Sequence, residues 1–584
     1  MLESYKIIDN KVVLRMRGKI YTTPEELLEG GIFKEILHRV VQNLVEKNSI
    51  LLNIFENSNP GEVDINILVN ALQRLTKNTS DEVQKLYPES KQFFRDTSLF
   101  SEFVEYMYNF WRGFERYVLC DSFEGDSIDQ RPYRQFNDTV GTLAQLIRKT
   151  YRDLEENITG THPRVYRQVE AGAEFGSISV QVNTDYPDGT YGKLQSIPVI
   201  RQVMMNPPLI LEPKMNKRTG AFVKIDVNPL SVVQINSDEW ICYPARVGDL
   251  VIHVFIHEKF YELGFTLCNL FDIADDEEVE RKPDAVYLFG IPGEELDSMA
   301  EYPTVFYDDQ HNDMMVAACP NRDEFGYFGY LKKMVLTLHN SIKMKKGIMP
   351  FHGALMKIFL RNGKSATMLL IGDSGAGKSE TLEAMRNIGA ELISDIVIIA
   401  DDMGSIEIDD NGDIIGFGTE IGAFLRIDDL KPGYAFGQMD RSIIMSAGKT
   451  NARIVLPVTS YENVIKGFKI DFILYANNYE EIDDEHTILE RFDSPEKALS
   501  VFKEGTVMSK GTTTSTGIVH SYFANIFGPP SYRDIHDSIS ERFFDAFFKA
   551  GVFVGQMRTR LGIPGYEYRG PEEAAREVLK VIGE

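Results

Sequence analysis

A glycine-rich loop between an apolar run and a helical pattern is the feature that most constrains how this 584-residue chain can fold. The stretch LLIGDSGAGKSETLEAM occupies positions 369–385. It contains the pattern G-x-x-x-x-G-K-[ST] at Gly372, Gly377, Lys378 and Ser379. We predict a strand before the loop, at Thr367 to Ile371, and a helix after it, at Glu380 to Asn387, which is the arrangement that a phosphate-binding loop requires.

The loop predicts a nucleotide site. Glycines allow backbone N–H groups to turn toward a phosphate without a Cβ clash, and the helix N-terminus adds partial positive charge. Lys378 is expected to reach the outer phosphates of ATP or another nucleotide, and the Ser379 hydroxyl to ligate Mg²⁺. The alternative is a chance glycine-rich turn. The predicted nucleotide-binding residues are Gly372, Asp373, Ser374, Gly375, Ala376, Gly377, Lys378, Ser379 and Glu380.

A phosphate loop usually works with an acid at the end of a neighbouring strand, which serves the metal or its bound water. The segment GAELISDIVIIADDMG offers Asp395 within the apolar run, and Asp401 with Asp402 at its end. Asp395 lies seventeen residues after Lys378, enough for one helix and a return strand. The DDMG stretch could instead begin an ordinary polar turn. We expect Asp395 to contact the metal shell, with Asp402 as the second candidate.

Composition excludes several classes of protein. A formal net charge of −25 argues against a nucleic-acid binder, which usually has a basic surface. The four cysteines are far apart and form no Cys-x-x-Cys pair, which argues against a disulfide scaffold or a cysteine zinc site. We see no signal peptide and no run of about 18 apolar residues, so we expect no membrane partner and a cytoplasmic location. The oligomeric state stays open.

The texture of the chain predicts three regions. Residues 1–160 read as a mainly helical N-terminal region, residues from about Val165 to Lys282 as short strands and turns, and residues from about Pro283 onward as strands alternating with helices. We assign the domains as residues 1–160, 161–330 and 331–584. The fold class is therefore α/β in the phosphate-loop region and α+β overall. Aromatic residues recur at helical spacing in FFRDTSLFSEFVEYMYNFWRGFERYVL, which we interpret as packed helices, with a cofactor site as the alternative.

Several stretches resemble one enzyme superfamily. The segment from FHGAL to AELISD is similar to the core shared by phosphoenolpyruvate carboxykinases and HPr kinases. Within it, GDSGAGKSE is most similar to the phosphate-loop sequence of HPr kinases. KPDAVYLFG, FGYFGYLKKM, MPFHGAL and NARIVLP follow in the order of the ATP-type carboxykinases. This resemblance covers roughly residues 250–550, at the level of distant relatives, and implies a carboxykinase-like phosphate-loop domain preceded by a mixed α/β lobe.

The resemblance implies roles for individual residues. Lys333 and His352, nineteen residues apart, would ligate Mn²⁺, the lysine as a neutral amine whose pKa is lowered. Taken singly, each residue is more often a solvated charge or a core histidine. The other residues with implied roles are Tyr327 beside the substrate, Arg453 on the substrate and phosphoryl group, Arg426 in place of a phosphate-binding lysine, and Arg218 on the substrate carboxylate.

Two positions depart from the family pattern. The family's acid strand ends in Asp-Asp, whereas Ile396 follows Asp395 here and the double acid comes six residues later. Thr514 occupies the position where ATP-type carboxykinases carry an arginine that contacts adenine. The nucleotide base therefore stays open.

Three functions follow as expectations. The first is the interconversion of oxaloacetate and ATP with phosphoenolpyruvate, CO₂ and ADP, a lyase reaction with phosphoryl transfer of the kind used in gluconeogenesis, with Mn²⁺ and Mg²⁺ as cofactors. The second is a kinase of the HPr-kinase type, acting on a protein serine or a small hydroxyl compound, with Asp395 as the base. The third is a nucleotide-binding regulator that has lost catalysis.

Overall fold

The computed structural model describes most of the chain, which folds into two compact units. The described residues are 2–17, 21–57, 59–122, 131–166, 168–373, 375–388, 392–427, 439–484, 486–510, 516–526 and 528–583. The first unit comprises Met1–Gln181 and Ile200–Asn206, and the second comprises Val182–Val199 and Pro207–Glu584.

The first unit combines helices with a mixed sheet in the order β1-β2-β3-β4-β5. Its strands are β1 (Leu2–Ile8), β2 (Lys11–Arg17), β3 (Glu115–Ser122), β4 (Phe175–Val180) and β5 (Val199–Met205). Its helices are α1 (Pro24–Glu29), α2 (Gly31–Glu46), α3 (Glu62–Leu75), α4 (Ser80–Leu86), α5 (Thr97–Arg112) and α6 (Arg131–Thr159). Helices thus hold most of residues 1–160, but strands β1 to β3, which the sequence analysis did not predict, lie there as well.

Helix α5 shows how the sequence sets these boundaries. Asp96 caps its first turn by accepting a hydrogen bond from the Leu99 backbone N–H at 3.0 Å. Phe100, Phe103 and Val104 recur at helical spacing and are completely buried in the core of the unit. The aromatic stripe is thus packed core, as predicted, but the chain leaves the helix at Gly113 and continues as strand β3.

The second unit contains the remaining elements. Its strands are β6 (Leu209–Leu211), β7 (Val223–Ile225), β8 (Trp240–Val247), β9 (Leu250–His257), β10 (Asp272–Ile273), β11 (Ala285–Ile291), β12 (Val305–Asp309), β13 (Met314–Pro320), β14 (Met349–Leu360), β15 (Ser365–Ile371), β16 (Ile393–Ala400), β17 (Met403–Ile408), β18 (Ile414–Gly418), β19 (Gly422–Arg426), β20 (Ile443–Met445), β21 (Arg453–Pro457), β22 (Phe468–Lys469), β23 (Phe472–Asn477), β24 (Leu489–Arg491), β25 (Thr506–Lys510), β26 (Thr516–His520) and β27 (Phe553–Arg558). Its helices are α7 (Tyr261–Thr266), α8 (Asp276–Glu280), α9 (Phe328–Lys345), α10 (Lys378–Ile388), α11 (Tyr461–Ile465), α12 (Pro495–Glu504), α13 (Pro529–Lys549) and α14 (Arg569–Gly583).

Four sheets organise this unit. The first runs β8-β9-β11-β13-β12-β7, with β10 paired to β8, and the second runs β22-β18-β17-β14-β15-β23-β27-β24, with β16 paired to β14. The third runs β19-β21-β20-β6, and β25 pairs with β26. Strands β15, β23 and β27 are parallel, whereas β14 is antiparallel to each of its neighbours. The chain is therefore a mixed α/β protein, which is the fold class predicted in outline.

The boundary predicted at residue 330 falls inside α9. This helix packs against β8, β11 and β13 of the first sheet and against β14 and β17 of the second. Its residues are buried almost continuously from Phe328 to Met344. Because one buried helix joins both sheets, residues 207–584 belong to a single unit, whereas the sequence predicted two regions there.

A buried histidine in α9 makes the stability of the chain depend on pH. His339 is completely buried, and burial, with the charge of Lys343 beside it, lowers its pKa to about 4. The unfolded chain therefore binds a proton below about pH 6.5 that the folded chain does not bind. We expect the free energy of unfolding to fall between about pH 6.5 and 4, by on the order of 3 kcal/mol from this group.

Denaturant unfolding of wild type and His339→Gln at several pH values measures that contribution. The variant should show a shallower loss of stability between about pH 6.5 and 4, because it lacks the group that titrates. Equal slopes for the two proteins would contradict the assignment.

Candidate active site

The phosphate loop lies where the sequence predicted it, between β15 and α10. The backbone at Gly375 and Gly377 has positive φ values of 80° and 102°. A Cβ at Gly377 would lie 2.8 Å from the Thr559 side chain, so this position requires glycine on two grounds. Ser374 and the Ser379 side chain lie outside the described residues.

Side chains from two neighbouring strands hold the loop in place. Asn478, directly after β23, donates to the Gly375 carbonyl at 2.9 Å, and the Thr559 hydroxyl, directly after β27, donates to the Ala376 carbonyl at 2.7 Å. The Lys378 ammonium donates to the Gly372 carbonyl and, at 3.2 Å, to the Asp373 carbonyl. The buried Lys378 is thus folded over the loop, at the position expected of a residue that contacts phosphate.

The structure corrects the choice of Asp395 as the acid beside this loop. In the register of the sheet, Asp395 of β16 pairs with Phe359 of β14, which pairs with Ser365 at the start of β15. The phosphate loop follows Ile371, at the opposite end of β15. Asp395 is also exposed, and its carboxylate accepts a hydrogen bond from the next backbone N–H. It therefore cannot contact a metal bound at the loop.

The second candidate, Asp402, lies at the end of the sheet where the phosphate loop begins. Its carboxylate accepts a hydrogen bond from the Lys332 ammonium at 2.6 Å and lies 3.0 Å from Nε2 of His352. The backbone N–H of Gly372 donates to the His352 carbonyl at 3.3 Å, which ties the phosphate loop to this group. Nδ1 of the same imidazole bonds the Ala524 carbonyl, so Nε2 is the nitrogen that faces the acid.

Asp401, the first acid of the pair, lies within electrostatic range of Lys378 in the phosphate loop. Burial and the neighbouring charge of Asp402 raise the pKa of Asp401 to about 6. Three cations, Lys332, Lys378 and Arg386, act on it in the opposite direction. The acid pair Asp401–Asp402, rather than Asp395, therefore lies near the phosphate-loop lysine, because β16 runs to Ala400 before the pair begins.

Two adjacent lysines of α9 have pKa values that are shifted in opposite directions. Burial, together with the charge of Arg218, lowers the pKa of Lys333 to about 8, so its amine loses the proton more easily than that of an ordinary lysine. Burial alone would also lower the pKa of Lys332. The negative charges of Asp402 and Glu420 outweigh that effect and raise it, and the Glu420 carboxylate lies 3.7 Å from the Lys332 ammonium.

The ring of Phe424 on β19 lies beside two of the predicted residues, Tyr327 and Arg453, and beside Lys332. The Tyr327 ring lies 6.2 Å from it, and the Lys332 ammonium and the Arg453 guanidinium lie 5.8 and 5.1 Å from its centroid. Nε of Arg453 is buried and makes no hydrogen bond within the described part of the chain. Arg426 pairs with Arg453 in the register of β19 and β21, so two guanidinium groups start from adjacent positions.

Arg218 is brought to the same place from a distant part of the sequence. The Tyr330 hydroxyl bonds both the N–H and the carbonyl of Thr219 at 2.8 Å, which fixes the loop that carries Arg218 to α9. The Asn216 amide donates to the Thr450 carbonyl at 2.7 Å, close to Arg453. The Arg218 guanidinium stacks 4.6 Å from the Phe222 ring, and burial lowers its pKa.

Sequence reasoning missed three contributors to this site, Lys332, Glu420 and Phe424. Lys332 had a visible signal, since a pair of lysines interrupts an apolar helical pattern in FGYLKKMVLTL. Glu420 and Phe424 had none that we can identify, because their role depends on the pairing of β19 with β21. Thr514, the position of the expected adenine contact, lies outside the described residues.

The comparisons with known proteins leave the family open. No protein-family model and no curated protein matches this chain. The assignment of a function therefore depends on the geometry of this site.

Two neighbouring side chains of this site, those of His352 and Asp402, are chemically able to ligate a transition-metal ion such as Mn²⁺. Within the described ranges, no group of three or more His, Cys, Asp and Glu side chains could hold a metal. The site supplies two such side chains, the imidazole of His352 and the carboxylate of Asp402, and the Lys333 amine would complete the set. Mixed nitrogen and oxygen ligands suit Mn²⁺ better than Mg²⁺.

None of the described helices is both long and apolar enough to cross a membrane.

Proposed function

We propose that this protein is a carboxykinase that interconverts oxaloacetate and ATP with phosphoenolpyruvate, CO₂ and ADP. The observation that carries the proposal is the junction of two sites: His352 bonds the first glycine of the phosphate loop through its backbone and faces Asp402 through its side chain. In this proposal, the side chains that would bind the metal next to the substrate carbonyl thus lie beside the loop that would bind the nucleotide phosphates.

Mn²⁺, held by Lys333, His352 and Asp402, would supply a Lewis acid that polarises the substrate carbonyl and stabilises negative charge next to it. The protein's own residues orient the reactants. Arg218 and Tyr327 lie within electrostatic range of each other, which supports a shared role in binding a substrate carboxylate. In this proposal Lys378 holds the outer phosphates, and Arg453 contacts both the carboxylate and the transferring phosphoryl group.

The phosphoryl step of this reaction needs no general base, because an enolate is already a nucleophile. The buried Lys332 has a different part in the proposal. Its charge balances Asp402 and Glu420 inside the protein, where uncompensated carboxylates would be costly. It thereby keeps the carboxylate of Asp402 ionised and directed at His352, in the state that a metal ligand requires.

A kinase of the HPr-kinase type is the second candidate, and one observation favours it. Such an enzyme needs a base near the phosphate loop, and Asp401, whose pKa is raised to about 6, is suited to that task. Asp395 cannot serve, since it lies at the other end of β16. A kinase of this type gives the pairing of Asp402 with His352 no chemical role, so we rank it second.

One assay distinguishes the candidates. The purified chain is incubated with ATP, Mn²⁺ and Mg²⁺, with and without oxaloacetate, and phosphoenolpyruvate and ADP are measured. The carboxykinase proposal predicts equal amounts of both products that depend on oxaloacetate. ADP formed only with a hydroxyl acceptor would favour the kinase, and nucleotide binding without any transfer would favour a regulator that has lost catalysis.

Arg453 provides a specific prediction. Arg453→Ala should lower kcat for phosphoenolpyruvate formation by about 100-fold, because a guanidinium that contacts transferring charge contributes roughly 3 kcal/mol. Arg441→Ala is the control. Arg441 lies on the same part of the chain, directly before β20, but its side chain is 65% exposed. Equal activity of the two variants would show that Arg453 takes no part in the reaction.

A further inference from the structure

The first unit contains an apolar cavity that the proposed function does not use. It lies between α1, α2, α5 and α6 and has a volume of about 90 Å³. With its open mouth, the empty space is about 620 Å³. Protein interiors are close-packed and hold few voids larger than a water molecule, so a cavity of this size is a departure from ordinary packing.

The lining indicates the chemistry of an occupant. The residues around the cavity are apolar or aromatic, apart from Thr150, and none of them carries a charge. The Thr150 hydroxyl donates to the Leu146 carbonyl at 2.8 Å, and the Tyr151 hydroxyl donates to Glu105. Two of the three lining hydroxyl groups, those of Thr150 and Tyr151, therefore already donate within the protein, and the third belongs to Tyr108. Almost none of the surface that faces the cavity is polar, so the cavity favours an apolar ligand.

Aromatic rings make up a large part of the wall. Tyr108 and Tyr151 stack at 4.0 Å with an angle of 10° between their planes. Trp111 lines the cavity from α5, and its indole N–H donates to the Ala171 carbonyl at 2.7 Å, which fixes the ring. Apolar cavities of about 150 Å³ in other proteins stay dry and take up benzene. We propose that this cavity binds an uncharged hydrocarbon group about the size of one six-membered ring, either an aromatic ring or a short alkyl chain.

The chain offers a direct optical test of this proposal. It has two tryptophans, Trp111 in the cavity wall and Trp240 in the second unit, where it is completely buried. In the Trp240→Phe variant of the full chain, tryptophan fluorescence therefore reports on the cavity alone. The probes are toluene as the ring, 1-hexanol as the alkyl chain, and benzoate as a charged relative of toluene.

We expect a saturable change in Trp111 fluorescence with toluene or 1-hexanol, and at least tenfold weaker binding of benzoate. The probe with the lower Kd identifies the source of the hydrocarbon group. Ile36→Phe, which fills the cavity from α2, should weaken binding at least tenfold. Val40→Ile, one turn further along α2 and outside the cavity, should not change it. Thr150→Leu fills the cavity from α6 and serves if Ile36→Phe does not fold.

Two results would overturn the proposal. One is a linear, unsaturable response with the same slope in the filled variants and in the Trp240→Phe parent. The other is benzoate binding as tight as that of toluene, since a charged group has no partner among the lining residues.

Discussion

Replacing Asp402 with asparagine is expected to lower kcat for phosphoryl transfer about a thousandfold, which corresponds to a loss of roughly 4 kcal/mol of transition-state stabilisation. The physical reason is that Asp402 is the carboxylate shared by Lys332 and His352, at 2.6 and 3.0 Å. Asparagine keeps the shape but removes the negative charge that a bound cation and the buried ammonium both require.

Asp395→Asn is the matched control for this variant. Asp395 belongs to the same strand segment, but it is exposed and lies at the end of the sheet away from the phosphate loop. Its kcat should stay within about twofold of wild type, since surface substitutions away from such features have small effects. Thermal melting of both variants separates lost chemistry from lost folding. A silent Asp402→Asn paired with an inactive Asp395→Asn would show that Asp395 is the acid that serves the loop.

Lys378→Ala is the second substitution with a large expected effect. Lys378 is buried against the loop carbonyls of Gly372 and Asp373 and is the lysine placed to contact the outer phosphates. We expect kcat to fall by about 10²–10³-fold, because the variant lacks the ammonium charge that would stabilise the negative charge of the transferring phosphoryl group. The melting temperature should change little, since the lysine bonds only the loop itself.

Lys364→Ala is the control for Lys378→Ala. Lys364 lies in the turn before β15, at the other end of the strand that leads into the loop, and its exposed ammonium donates to the Gly583 carbonyl at 2.9 Å. Its kcat should remain that of wild type. Activity of Lys378→Ala within a few-fold of wild type would remove the phosphate loop from the reaction, whichever acceptor is used.

The phosphate loop could be predicted from the sequence because its determinants are local. The glycine spacing, the apolar strand and the helical pattern all lie between residues 367 and 387, and β15 and α10 confirm the strand and the helix. The acid was misplaced because its position was estimated from its distance to Lys378. Strand β16 has eight residues, and the apolar run itself ends at Ala400, directly before the acid pair.

Other parts of the site depend on contacts between distant segments. Which of two adjacent lysines faces Asp402 is set by how α9 packs between two sheets, and the sequence predicted only Lys333 at the site. Arg218 lies more than a hundred residues before the lysines of α9 in the sequence. Its place depends on the hydrogen bonds between Tyr330 and Thr219, more than a hundred residues apart in sequence.

The N-terminal strands were missed for a related reason. Strand β3 includes part of FERYVL, which begins directly after the Gly113 that ends α5. Its buried centre, Tyr117 to Leu119, is aromatic and aliphatic and therefore fits a strand as well as a buried helix. Its parallel pairing with β2 and β4 decides the conformation, and that pairing joins segments that are far apart in the sequence.

The most direct measurement of the central claim, a Mn²⁺ site beside the phosphate loop, is a crystal structure of the full chain soaked in Mn²⁺, with the ion located by its anomalous scattering. We predict one ion bound by Nζ of Lys333, Nε2 of His352 and a carboxylate oxygen of Asp402, each within about 2.0–2.3 Å. The Lys332 ammonium should remain paired with Glu420. An ion bound elsewhere, or Lys333 and His352 nitrogens well over about 5 Å apart in the soaked crystal, would contradict the carboxykinase proposal.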